Sequence, residues 1–200
     1  MNITNVDYFT FNAHNSLLLV GESGSGKTCL VRKLVEIYMQ AQNPNELKFV
    51  FFDLKQVEFS DFTEDEEKHP YLLFDVQFGD EKSFDVLDQL ADLSMERVKT
   101  NTQKPLIFIY IEECDMACRD QKRFDKLVTT ISENAKKANM KLVYSTSSPR
   151  PDTVSNKLLE SFELVLVGNF SYDHWLYEYF GISKESRPTL SDYEFLVVER

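Results

Sequence analysis

Gly21-Glu22-Ser23-Gly24-Ser25-Gly26-Lys27-Thr28 is the stretch whose reading decides the fold. It fits the spacing G-x-x-x-x-G-K-[ST], and both flanks carry the matching periodicity. Leu17-Leu18-Leu19-Val20 is a short continuous apolar run, the mark of a strand covered on both faces. Beyond the turn, Leu30, Val31, Leu34, Val35 and Tyr38 recur on one face of a helix. Strand, glycine-rich turn and helix in that order make a cradle for a triphosphate. Glycines let the backbone curl without Cβ clashes, backbone N–H groups converge on the anion, and the helix dipole adds positive potential. Lys27 is expected to reach the β- and γ-phosphates, and the Thr28 hydroxyl to ligate Mg²⁺. Residues 21–28, with Cys29 next on the helix, form the expected ATP-binding set.

Working outward, strands and helices alternate. Ile3, Val6, Tyr8, Phe9 and Phe11 predict a lead-in strand or arm over residues 1–16. Phe49-Val50-Phe51-Phe52 is a second buried strand ending at Asp53-Leu54-Lys55. The acidic segment from Asp61 to Lys68 reads as a solvated loop, and Tyr71 to Val76 as a short apolar piece. Phe84, Leu87, Ala91, Met95 and Val98 place a helix over 80–99. Leu106 to Ile111 is a third strand ending at Glu112-Glu113. A helix follows on Phe124, Leu127, Val128, Ile131, Ala135 and Ala138, then strands at 141–146 and 163–167. An aromatic-rich helix at 172–180 and a closing strand at 195–198 complete the pattern. Such alternation predicts an α/β fold, a mostly parallel sheet with helices on both faces. No repeat or linker interrupts it, so residues 1–200 read as one domain, 171–200 forming its last helix and strand.

Composition narrows the class. With 42% hydrophobic and 28% charged residues the chain is an ordinary globular one, which excludes disorder. No apolar run approaches the roughly 20 residues of a membrane span, and the N-terminus carries no signal-peptide pattern. Cys29, Cys114 and Cys118 make an odd count beside a nucleotide loop, which points to reduced thiols and a cytoplasmic setting. No second ligand pair at zinc spacing accompanies Cys114 and Cys118, and His14, His69 and His174 are scattered. A net charge of −11 argues against a broadly basic nucleic-acid surface, though basic loops inside a ring remain compatible with it.

Ligands of parallel sheets sit at the carboxyl ends of the strands. Hydrolysis of ATP there requires one carboxylate for the Mg²⁺ shell and another to orient or deprotonate water. Glu112 is expected to take the metal role and Glu113 the catalytic one, with Lys27. Thr146, at the end of the next strand, is either a sensor of the γ-phosphate or a strand cap. Asp53 and Lys55 form a local ion pair or face a neighbouring subunit.

These motifs together resemble the motor domain of FtsK/SpoIIIE-type DNA translocases, in the FtsK–HerA group of ATPases. Leu47 to Lys55 running into Glu58-Phe59-Ser60 is similar to that family's Asp-Pro-Lys strand and Glu-Leu-Ser, and Met95-Glu96-Arg97 to its Met-Glu-Arg helix. His69 to Val76 resembles its Pro-His-Leu-Leu segment, Lys104 to Glu113 its second acidic motif, and Glu133 to Thr146 its Ala-Thr-Gln-Arg-Pro region. The resemblance covers residues 12–198. It implies a RecA-like P-loop NTPase, a homo-oligomeric, hexameric ring, and ATP hydrolysis that moves DNA. Departures are Glu112 for the family's Asp, Ser147 and Ser148 for its Gln and Arg, Lys136 for a helix Arg, and no glycine in Leu190 to Tyr193. Lys136 cannot reproduce a bidentate arginine fork, yet with Asp53 and Lys55 it marks the expected subunit or polymer coupling. Those departures fit a second reading, a nucleotide-dependent assembly module for a protein partner, as in type VII secretion ATPase domains. A small-molecule kinase is a third, disfavoured by the scarcity of lid-type arginines.

Overall fold

Near-continuous Leu, Val, Ile and Phe runs need cover on both faces, and the chain supplies it with helices between successive strands. The computed structural model describes residues 3–4, 8–53, 58–78, 81–112, 119–147, 154–170, 175–180, 190 and 193–199. Among them are strands β1 (Ile3–Thr4), β2 (Ser16–Val20), β3 (Leu47–Asp53), β4 (Leu106–Glu112), β5 (Met140–Thr146), β6 (Leu164–Val167) and β7 (Phe195–Glu199). They form one seven-stranded sheet in the order β1-β7-β6-β2-β5-β4-β3. β6, β2, β5, β4 and β3 are parallel, while β7 is antiparallel to β6 and β1 to β7.

The helices are α1 (Tyr8–Ala13), α2 (Lys27–Ala41), α3 (Asp61–Glu64), α4 (Glu81–Thr100), α5 (Gln121–Asn134), α6 (Asn156–Ser161) and α7 (Trp175–Tyr179). Pleat alternation divides the core in two. Leu17, Leu19, Phe51, Phe108 and Tyr110 face Val31, Leu34 and Tyr38 of α2. Leu18, Val20, Phe52, Ile109 and Tyr144 face Phe84 and Leu87 of α4 and Phe124 and Val128 of α5. Asp120 caps α5 by accepting from Arg123 N at 3.0 Å, and Ser155 caps α6 by accepting from Leu158 N at 3.2 Å.

The order of the strands positions the site. From β2 the chain crosses to the far edge at β3, returns through β4 and β5, and then passes to β6 on the other side of β2. β2 therefore lies at the switch point where connections leave in opposite directions, and a crevice opens at its carboxyl end. Residues 21–28 follow β2 directly.

Two local expectations change. The lead-in contains α1 rather than strand alone, because a lysine of the sheet closes that helix. Lys141 Nζ donates to Phe11 O at 3.2 Å, Asn12 O at 3.2 Å and His14 O at 2.6 Å, carbonyls at and just past the end of α1. Burial pulls its ammonium down to about 8, and the Glu163 carboxylate opposes this, so it stays protonated at pH 7. Lys141→Met should remove the donor these carbonyls share, leaving Phe11 O only the 3.4 Å bond from His14 N, and cost about 2–4 kcal/mol. A lowered urea midpoint, with early loss of amide protection in α1, is the expected readout. The acidic segment also differs from a plain loop: Phe62 is buried and draws Asp61–Glu64 into a helical turn. Beyond it, Leu73 N and Gln77 N donate to Phe49 O and Phe51 O, so the short apolar piece covers the outer edge of β3.

Candidate active site

The phosphate loop is held at its stem by its neighbours. Gly21 N donates to Thr146 O at 3.4 Å and Glu22 N to Asn169 O at 3.0 Å, which ties the loop to the ends of β5 and β6. Gly24 (φ 87°) and Gly26 (φ 93°) then take the left-handed conformation that favours glycine. Gly26 is the N-cap of α2 and offers no side-chain cap, so the first N–H groups of a 15-residue helix are left for an anion. Lys27 is buried, its Nζ donating to Gly21 O at 2.6 Å and Glu22 O at 3.1 Å across its own loop.

Glu112 meets Thr28 at the centre of the crevice. Thr28 Oγ1 donates to Glu112 Oε1 at 3.2 Å, and both line a cavity of about 230 Å³ with Lys27, Gly24 and Ser23. Tyr110, two residues earlier on β4, lies on the same face, and its hydroxyl is 2.9 Å from Ser145 Oγ. Burial, and then the Glu112 charge, push the Tyr110 hydroxyl far above its ordinary range, while hydrogen bonds with Ser145 and Thr28 act the other way. Tyr110 thus stays neutral, a fixed support beneath the Thr28–Glu112 pair. A hydroxyl beside a carboxylate is a hard-oxygen donor set that suits Mg²⁺, so Thr28 and Glu112 fit the ion expected here.

The remaining expected residues fall into three groups. Glu113 and Lys55 lie outside the described residues, as do Cys114 and Cys118. Thr146 is buried at the loop stem, but alternation puts it on the face of Tyr144; Ser145 is the β5 hydroxyl on the Glu112 face. Asp53 is fully buried, and its Oδ2 accepts from Glu58 N at 2.7 Å and Phe59 N at 2.9 Å. That carboxylate faces inward, where it anchors the segment after β3. Lys136 is exposed in the turn before β5, at the amino ends of the strands and opposite the cradle.

Glu58 and Tyr193 line the cavity although sequence reasoning assigned neither a role there. Glu58 is brought in by Asp53 and by Arg32 of α2, whose Nε lies 3.7 Å from its carboxylate. Its signal was available: it opens the Glu-Phe-Ser triplet that carried part of the family resemblance. Tyr193 entered the sequence reading only as the end of the stretch 190–193; a backbone bond to Ser25 O at 3.2 Å sets it beside the loop.

The NACHT domain model matches residues 15–180, from the approach to β2 to just beyond α7. The chain belongs to the NACHT family. It is also 23% identical over 166 residues to the DNA translocase FtsK of Streptococcus pyogenes serotype M1, a match covering 70% of this chain and 20% of the relative. The similarity to FtsK read from the motifs therefore stands, and the chain spans about a fifth of the length of those relatives.

Two solved structures share the fold. One is EssC (ATPases 2 and 3) from Geobacillus thermodenitrificans, with a TM-score of 0.70 and 14% identity over 92% of this chain and 37% of that one. The other is the genome packaging NTPase B204 of Sulfolobus turreted icosahedral virus 2 in complex with ATPγS. Its TM-score is 0.58, with 16% identity over 92% of both chains. This member of the NACHT family is a RecA-like P-loop NTPase. Among the described residues no helix is long and apolar enough to cross a membrane.

Proposed function

We propose that the chain is an ATP-hydrolysing motor of FtsK/HerA type, working in the cytoplasm as a hexameric ring that moves or packages DNA. The observation that supports this best is the 3.2 Å hydrogen bond from Thr28 to Glu112 beside the buried Lys27. It joins the loop expected to hold the phosphates to the strand expected to hold the metal. When a triphosphate enters, Lys27 leaves the carbonyls of Gly21 and Glu22 for the β- and γ-oxygens, and the α2 N–H groups bind the same charge. Thr28 and Glu112 would hold Mg²⁺, which would supply charge neutralisation for the triphosphate. Glu113, next to Glu112, orients and deprotonates the attacking water. Lys55 and Lys136 are the positions for contact with a neighbouring subunit or the polymer, and Asp53 serves by holding the backbone of Glu58 and Phe59.

DNA as the polymer is suggested by the relatives, FtsK being named a DNA translocase and B204 a genome packaging NTPase. The test measures particle mass and phosphate release with ATP, with and without duplex DNA. A six-fold species whose turnover rises on DNA, in a salt-sensitive way, is the expected result. In the same assay Glu113→Gln should keep ATP affinity and lose turnover about 10²-fold or more. Unchanged turnover in that variant would move the base elsewhere.

The net charge of −11 favours a second reading, a nucleotide-dependent assembly module for a protein partner. Tight ATP binding with negligible turnover and no salt-sensitive DNA affinity would select it.

A further inference from the structure

The cavity beside the phosphate loop is about 230 Å³, below the roughly 300–1,000 Å³ of pockets that enclose a drug-sized ligand. It can take the phosphates of a nucleotide, but the nucleoside must lie at its rim. Tyr193 is the one aromatic residue lining it among those described, and the residue as a whole is 58% exposed. Exposed aromatic rings are ordinarily mobile; this one is fixed at two points. Tyr193 N donates to Ser25 O at 3.2 Å, so the backbone is pinned to the loop itself. One edge of the ring also packs on the Cα side of Gly26, where an added Cβ would come within 2.4 Å of Tyr193 Cδ1. Tyr193 holds a left-handed φ of 70°, an uncommon conformation for a non-glycine residue. The ring is thus held against the N-cap of α2 with most of its surface open.

We propose that Tyr193 is the nucleobase-binding residue of this site, stacking its open face on the base of the triphosphate held at 21–28. The ring offers no pattern of donors and acceptors beyond its hydroxyl, so it contributes affinity for any base rather than selection among bases. This rests on the nucleotide-binding reading above.

The test separates base from phosphate. ATP and inorganic tripolyphosphate, each with Mg²⁺, are titrated calorimetrically into the full chain, into Tyr193→Ala and into Tyr193→Phe. Stacking predicts a loss of about tenfold or more in ATP affinity for Tyr193→Ala, unchanged tripolyphosphate affinity, and ATP affinity restored in Tyr193→Phe. An equal loss for both ligands would overturn the proposal and make Tyr193 a prop for Gly26, and no loss for either would overturn it too. If the unsubstituted chain binds neither ligand, the nucleotide reading itself falls and takes this inference with it.

Discussion

Lys27→Ala should reduce ATP turnover by about 10²–10³-fold, the cost of removing one preorganised charged donor from a site of developing negative charge. The ammonium is buried and already aimed along the loop, 2.6 Å from Gly21 O and 3.1 Å from Glu22 O. Those carbonyls belong to the loop that must wrap the phosphates, so the move from carbonyl to phosphate is short. The fold should survive, because alanine is the strongest helix former and residue 27 opens a 15-residue helix. Lys27→Arg should fail as well, since a planar fork does not replace a compact charge inside a tight loop. Phosphate release, checked against the melting temperature, measures the effect. Exposed Cys29 supplies an independent readout from the cavity wall. ATP should protect its thiol from alkylation in the native chain and not in Lys27→Ala, with peptide mapping to separate it from Cys114 and Cys118. Undiminished turnover in Lys27→Ala would remove the loop from the chemistry.

The cradle was legible because its specification is local. Three glycines, a lysine and a threonine at fixed offsets, between an apolar strand and a helical stripe, leave few backbone alternatives. The sheet was legible for a related reason: runs such as Phe49–Phe52 and Leu106–Ile111 are too apolar to leave either face in water. What escaped was set by contacts distant in sequence. Lys141 reads as an ordinary strand-edge charge until α1 brings three carbonyls onto it. Asp53 was expected to pair with Lys55 or to face a neighbouring subunit; its buried carboxylate accepts two backbone N–H groups, from Glu58 and Phe59, which no motif announces. Thr146 was expected as a sensor or a strand cap; its carbonyl accepts from Gly21 N at 3.4 Å, while the pleat turns Ser145, one residue earlier, to the Glu112 face. A motif does not carry the parity of a strand, which sets the face each side chain takes. Tyr193 is the extreme case, since its contacts with Ser25 and Gly26 join residues far apart in the chain.

Glu112→Gln is the substitution that tests the other half of the site, and its effect should be read in Mg²⁺ rather than in ATP. The amide still offers Thr28 an oxygen acceptor at nearly the same place, so the support from Tyr110 and Ser145 is kept and only the charge is lost. ATP affinity in the presence of chelator should not change. The Mg²⁺ concentration for half-maximal turnover should rise about tenfold or more, and kcat should fall about 10²-fold, equivalent to about 2.7 kcal/mol. A lower melting temperature with an unshifted Mg²⁺ titration would reduce Glu112 to a structural residue. Glu112→Asp sharpens the point, because aspartate is what the FtsK-type motif carries on this strand. It keeps the charge but retracts the carboxylate by about 1.5 Å, opening the 3.2 Å contact with Thr28 beyond hydrogen-bonding range. The expected order of Mg²⁺ affinity is therefore glutamate, then aspartate, then glutamine. If aspartate instead binds Mg²⁺ more tightly than the native residue, the extra methylene is not what brings the carboxylate to Thr28, and the backbone of β4 must already approach the loop closely enough for the shorter side chain.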